Sequence, residues 1–324
     1  MSDTPLVSIV IPARNEVRDI AATLDTILAI DYEPKEILVV DDSTDETPDI
    51  VVRYAGRGVR LIHREQNRNG CCGARNLGMR STTGEIIVLM NADDRPRPDF
   101  LQRLLPHYQN GADYMIVKSA VLNRDVLWGR FTAAAEQAAR GTDPEWSEGF
   151  SCRRTAAVEV GYIPGDFPVP FCRDYMLGVA LNRAGFKKRV DLTIPMGHIV
   201  PETLSAYWSN QVWRGTFSAP HAYYLRQMPL ALIWLRELLK ATRTVLRYLF
   251  VLPAIWRAAR LTKFAPAGWR DFPGLFLVGV VQDLALIVGN FKGLLRTMQA
   301  HRSSNRCGAS GECGSGKSAS GALR

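Results

Sequence analysis

Short apolar runs alternate with amphipathic stretches along the first third of the chain. LVSIVIP at 6–12 is too short for a buried helix and rich in β-branched residues, which predicts a strand covered on both faces. A helical stretch follows from about Glu16 to Ile30. EILVVDD (36–42) predicts a second strand that ends in acids, and STDETPDIVVRYAG a helix with Ser43 or Thr44 as its N-cap. VRLIHRE predicts a third strand, CCGARNLGMRSTTG a helix ending at Gly84, and EIIVLM a fourth strand. Strands alternating with crossover helices predict an α/β fold with a mainly parallel sheet and helices on both faces.

In such sheets ligands bind beyond the carboxyl ends of the strands. Three polar strand ends are predicted there: Pro12–Glu16, Asp41–Asp42 and Asn91–Asp94. Neighbouring carboxylates repel unless something positive lies between them, so the shared crevice suits a metal ion or a polyhydroxyl ligand.

Beyond residue 113 the pattern is less regular. GFSCRRTAAVEVGYIPG predicts a strand, a short helix and a glycine stop; a helix is predicted from Asp174 to Ala184, stopped by Gly185 and followed by a strand; PETLSAYWSNQVWRGTF predicts one more helix. From Pro229 the composition changes. Arg236, Lys240, Arg243 and Arg247 fall on one stripe of a helix at about 100° per residue, opposite Trp234, Leu238, Val245 and Leu249. A basic stripe opposite a Trp/Leu face is the pattern of a helix lying in a membrane interface. Residues 272–291 are long and apolar enough for a span. Their one charge, Asp283, costs about 2.5–3.5 kcal/mol at a bilayer centre, so a span and a shallow hairpin both remain open. The domain division expected is 1–224 for an enzyme-like domain, 225–298 for a membrane-associated helical region and 299–324 for a disordered Gly/Ser-rich tail.

Lys plus Arg number 40 against 32 Asp plus Glu among 324 residues, a net +8 that suits anionic partners. The excess lies in the amphipathic C-terminal region without a nucleic-acid motif, which argues against a nucleic-acid binder. The six cysteines form no CxxC pair, so neither a zinc nor a redox motif is indicated. No signal peptide precedes the first strand, and the enzyme-like part is expected to face the cytoplasm.

VSIVIPARNE, ILVVDDSTDET, NRNGCCGARNLGMRSTTGEIIVLMNADD, the FSCRR…VGYIPG…FCRDYMLGVALNRAGF block and NQVWRG, taken in order, resemble the family 2 glycosyltransferases over about Leu6 to Gly215. The resemblance implies the GT-A nucleotide-sugar-binding fold and an inverting transfer from a nucleotide-diphosphate sugar. It implies that Asp41 accepts a hydrogen bond from the base, that Pro12, Ala13 and Glu16 border base and ribose, and that Arg75 meets base or phosphate. It places Asn91 and Asp93 at the metal-binding strand end, where Mg²⁺ or Mn²⁺ would stabilise the departing diphosphate. The family usually has Asp at the position of Asn91; Asn91 can still hydrogen-bond a ribose hydroxyl, and Asp94 stands by to supply the missing charge. His198 falls where some relatives have a further metal or phosphate contact, although a lone His is more often structural.

The resemblance also implies Asp174 as catalytic base, since an acceptor hydroxyl must lose its proton as it attacks the anomeric carbon. The usual Glu-Asp is Arg173-Asp174 here, and a helix N-cap is the competing role for Asp174. Gln211 and Arg214 would close the site over the diphosphate. The expected function is a metal-dependent glycosyltransferase acting on a hydroxyl of a lipid-linked or cell-envelope saccharide at the inner face of an anionic membrane. A polyprenyl-phosphate sugar synthase and a catalytically inactive nucleotide-sugar-binding protein are the alternatives.

Overall fold

A computed structural model describes residues 4–65, 70–139, 145–164 and 174–310, with side chains as far as Ser303. The chain forms two compact units, residues 1–165 with 172–200, and residues 166–171 with 201–324; the composition change at 224 falls inside the second.

The first unit is built on one eight-stranded sheet of order β3-β2-β1-β4-β7-β6-β8-β5. β1 (Val7–Ala13), β2 (Lys35–Asp41), β3 (Val59–His63) and β4 (Ile86–Leu89) are all parallel, as the apolar runs predict. β5 (Asp94–Pro96) and β7 (Phe150–Arg153) join antiparallel, while β6 (Tyr114–Val121) pairs parallel with β8 (Lys188–His198). On one face α1 (Ile20–Leu28) and α4 (Phe100–Gln109) bury Leu24, Ile27, Leu101 and Leu104 with Ile9 and Ile11 in one cluster. On the other face α3 (Gly70–Arg80) lies against β1 and β2. It comes so close that a Cβ on Gly78 would sit 2.3 Å from Val10 Cγ1, so only glycine fits there. α2 (Thr47–Val52), α5 (Leu127–Ala138), α6 (Arg154–Glu159) and α7 (Tyr175–Arg183) complete the unit.

Two helix starts differ from expectation for one reason. α1 begins at Ile20 rather than Glu16, and α2 at Thr47 with neither Ser43 nor Thr44 as cap. The polar groups meant for capping are used to join the two turns. Ser43 Oγ accepts from Asn15 N at 2.7 Å, Asn15 Oδ1 accepts from Thr44 N at 3.0 Å, and Thr47 Oγ1 accepts from Glu16 N at 2.8 Å. Asn15 takes φ 59°, a left-handed conformation that Asn tolerates better than most residues.

In the second unit α8 (Leu204–Gly215) is capped by Thr203, whose Oγ1 accepts from Ala206 N at 3.2 Å. A short α9 (Ser218–Pro220) runs into one π-helical turn, and α10 (Leu230–Leu249), α11 (Leu252–Thr262) and α12 (Phe272–Ser310) follow. α12 continues helically past residue 298, where a disordered tail was expected; residues 311–324 lie outside the described part. α12 packs on α8 through glycine: a Cβ on Gly289 would lie 2.2 Å from the Val212 carbonyl oxygen, and one on Gly293 2.2 Å from that of Thr216.

The basic stripe of α10 does not face outward as a whole. Arg236 and Lys240 bond Glu237 and Ser218, while Arg247 donates to Asp283 of α12 at 2.6 Å; Arg243 is exposed. Asp283 also accepts from Tyr248 at 2.8 Å and Arg257 at 2.9 Å, so the acid that complicates a span is paired inside the helical layer.

Candidate active site

The carboxyl ends of β1, β2 and β4 meet as predicted, but their side chains do different work. Pro12 and Ala13 end β1 in the buried interior, and Ala13 O accepts from Asp42 N at 2.9 Å. Asp41 is fully buried. Its Oδ1 accepts from Ser43 Oγ at 2.5 Å, and its Oδ2 meets Ser43 N at 3.2 Å and His63 Nδ1 at 2.7 Å. The parallel register that sets Asp41 beside His63 accounts for this. In this structure the carboxylate therefore orients the β2 turn and the half-exposed His63 ring, rather than standing open to a base.

Glu16 lies where acids accumulate. Burial, then the negative charges of Asp93, Asp19 and Asp45, push its carboxyl up to about 8. Asp93 is pushed up to about 6, by burial first, with His198 opposing and Glu148 adding to the shift. Burial together with Asp93 and Glu148 drives Asp94 well above the usual carboxylate range. The antiparallel pairing of β5 with β8 sets Asp94 opposite His198. Burial opposes charge on His198, but Glu136, Glu148 and Asp93 outweigh it and raise the ring to about 9. One imidazolium thus lies among several carboxylates. The structure brings Glu16, Asp93 and His198 into one electrostatic cluster.

Arg75 has a different setting from the one expected. Its side chain is fully buried and ion-paired with Asp174, which is about a quarter exposed. Its Nη2 donates to Asn91 Oδ1 at 2.5 Å, and its guanidinium lies 4.9 Å from the centre of the Trp146 ring. Asn91 N in turn donates to Asp94 Oδ2 at 2.8 Å. Asp174 occupies the N-cap position of α7 but makes no side-chain capping bond; its carboxylate is turned to Arg75, with Cys72 Sγ 3.8 Å away. Arg173 lies outside the described residues. The close packing of α3 at Gly78 places Arg75 in the interior. Asn76 next to it holds the Ile163 backbone at 2.7 and 3.0 Å, at the end of α6's following loop. Gln211, buried, and Arg214 lie on α8 of the second unit.

Sequence reasoning missed Glu148, Glu136, His63 and Trp146. Each acts through a non-local contact: Glu148 accepts from Ser119 Oγ, Glu136 lies 3.5 Å from His198 Nε2, the His63 ring meets Asp41, and Trp146 lies 4.9 Å from the Arg75 guanidinium. The one local signal was Glu148-Gly149-Phe150, an acid before a glycine at φ 73° and a strand.

Among the described residues no three His, Cys, Asp or Glu side chains form a metal cage by themselves. Mg²⁺ and Mn²⁺ commonly take one or two carboxylates and fill the other positions with phosphate oxygens and water. The cluster fits that kind of ion: its donors are mostly carboxylate oxygens, and among the described residues Asp94 Oδ1 is buried without a hydrogen-bond partner.

Residues 8–149 match the family described as Glycosyl transferase family 2. Those residues form a family 2 glycosyltransferase domain. Similar curated proteins include the succinoglycan biosynthesis protein ExoO of Rhizobium meliloti (strain 1021), 37% identical over 124 residues, which are 38% of this chain and 34% of that protein. The UDP-Glc:alpha-D-GlcNAc-diphosphoundecaprenol beta-1,3-glucosyltransferase WfgD of Escherichia coli is 29% identical over 133 residues, 40% of this chain and 52% of that protein. The chain thus spans between about a third and about half of these relatives. Among solved structures, the mannosyltransferase PcManGT from Pyrobaculum calidifontis, in complex with GDP-Man and Mn²⁺, superposes with a TM-score of 0.58 at 20% identity, covering 90% of this chain and 88% of that one. That likeness shows the GT-A fold.

Proposed function

We propose that this glycosyltransferase moves a sugar, with inversion, from a nucleotide-diphosphate sugar to a hydroxyl of a lipid-linked or cell-envelope saccharide, at the cytoplasmic face of a membrane. The observation that carries the reading is the position of Asp174, which leaves its helix uncapped and turns its carboxylate to Arg75 beside Asn91. A carboxylate held this way can accept the acceptor's proton while the hydroxyl oxygen bonds to the anomeric carbon and the bond to the diphosphate breaks. Arg75 orients Asp174 and Asn91 together, so the acceptor side and the donor side share one fixed cation. The turn formed by Pro12, Ala13 and Glu16, with the His63 ring that Asp41 orients, borders the base and ribose. Asp93, with His198 once it gives up its proton, would hold a divalent cation, which when bound stabilises negative charge on the diphosphate. Gln211 and Arg214 complete the proposal as diphosphate contacts. WfgD is named for a lipid-linked acceptor, and ExoO for polysaccharide biosynthesis, which supports the substrate class.

Asp174→Asn tests the mechanism. Asn keeps the size and would serve as well as Asp in a helix cap, but it takes no proton. Transfer to a hydroxyl acceptor should fall by about 10²–10⁴-fold while donor binding, followed by calorimetry, stays within a factor of about two. Undiminished transfer would overturn the assignment and favour a phosphate acceptor, which arrives already ionised.

A further inference from the structure

The second unit turns its charges and its apolar side chains in unusual directions. Between Leu225 and Ser303 there are three acids, Glu237, Asp271 and Asp283, and all three are buried. Glu237 is paired with Arg236 and Lys240, Asp283 with Arg247 and Arg257, and Asp271 accepts from Ala267 N at 3.0 Å. Every exposed charge on that segment is therefore basic; Arg243, Arg260, Lys263 and Arg270 are exposed on and after the two helices that meet at the corner described next.

At the junction of α10 and α11 four large apolar residues follow one another in the open. Leu249 is 70% exposed, Phe250 67%, Val251 43% and Leu252 74%, with Trp256 of α11 at 66%. Val251 sits at φ 56°, a region that a β-branched side chain resists, at the corner between the two helices. A lone exposed Leu means little, but a contiguous apolar tip on a segment whose exposed charges are all basic marks an interaction surface.

We infer that the α10–α11 corner inserts into the acyl layer of an anionic bilayer, with the exposed cations left at the headgroups. Charge selects this occupant: a second copy of the chain would meet the same cations, whereas acidic headgroups complement them. The inference rests on the reading of the second unit as membrane-facing and is independent of glycosyl transfer. It also departs from the picture of a basic α10 stripe lying on lipid, because three of the four stripe residues are bonded inside the unit. α12 is long and apolar enough to cross a bilayer. Its Asp283 is nevertheless tied to α10 and α11, so it belongs to the same layer as the corner.

The full chain should be tested with phosphatidylcholine vesicles containing phosphatidylglycerol, by flotation and by quenching of tryptophan emission with lipids brominated on the acyl chains. Wild-type protein should float with the vesicles and be quenched, and Trp256→Phe should reduce the quenching. The double variant Phe250→Glu/Leu252→Glu changes only exposed side chains; it should keep its melting temperature and lose at least roughly tenfold in vesicle affinity. Unchanged affinity in the double variant, or binding without acyl-chain quenching, would overturn the insertion while leaving membrane attachment standing. Absence of any vesicle binding would remove the membrane reading itself. Self-association that the double variant abolishes would assign the corner to a second copy and overturn the inference.

Discussion

Raising the pH from about 5 to about 8 should destabilise the ligand-free protein, and a divalent cation should reverse the loss. The carboxyl of Asp93 moves from 3.8 to about 6, that of Glu16 from 4.5 to about 8, and the ring of His198 from 6.5 to about 9. All three hold a proton more tightly folded than unfolded. Each therefore contributes stability that is complete below its unfolded value and is lost as the pH rises through its folded value. The windows are about 4–6, 4.5–8 and 6.5–9, and all have the same sign. Glu33, Glu36 and Asp191 are shifted down by hydrogen bonds from Lys35, Thr83 and Thr193, against burial in all three. Their contributions change only below the ordinary carboxylate range, so they do not cancel the effect. For Asp93, two pKa units correspond to about 3 kcal/mol at most. Its partial exposure to water reduces this to on the order of 1–2 kcal/mol, or about 2–8 °C in melting temperature.

The assay is thermal unfolding across this range with and without Mn²⁺ and UDP. Because the ion must displace protons from Asp93 and His198, its stabilising effect should grow with pH. Asp93→Asn should flatten the lower half of the pH dependence and abolish the Mn²⁺ effect. A melting temperature that is flat or rising between about pH 5 and 8 in the ligand-free protein would refute the reasoning, as would a Mn²⁺ effect equal at both ends.

Two further outcomes are expected. Gly289→Ala places a methyl 2.2 Å from the Val212 carbonyl oxygen and 2.8 Å from the Gly215 Cα. It should cost about 1–3 kcal/mol in thermal unfolding, whereas Gly56→Ala, with nothing within 4 Å, should melt like the parent; equal melting of the two would show that α8 and α12 yield freely. Asn91→Asp adds a carboxylate that competes with Asp174 for Arg75. Mn²⁺ dependence should be preserved or strengthened while the turnover number falls roughly ten- to a hundredfold, and an unchanged turnover number would show that Arg75 does not set the position of Asp174.

The parallel half of the sheet was legible because both faces are covered, leaving near-continuous apolar runs in β1, β2 and β4. The strand ends were legible for the same reason, since polar residues start where cover stops. Side-chain roles were less so. Ser43 and Thr44 look like helix caps, yet their partner is Asn15, 28 and 29 residues away. Asp41 looks like an open acid until the β2–β3 register sets His63 beside it. The stripe on α10 looks solvated because the acid that takes up Arg247 lies 36 residues later, on α12. Local periodicity reports which positions are apolar; it carries nothing about which polar group a fold will place opposite another.

The joining of the β1 and β2 turns has a kinetic consequence. Hydrogen bonds at 2.7, 2.8 and 3.0 Å run between them through Asn15, Glu16, Ser43, Thr44 and Thr47. Two turns that would each fray alone make one braced floor. On the function proposed above, a nucleotide reaching it meets a seat already shaped, and these two turns need no ordering at the moment of encounter. Association at this end should then proceed at the rate of diffusion and docking, and any slow closing step belongs to other parts of the chain.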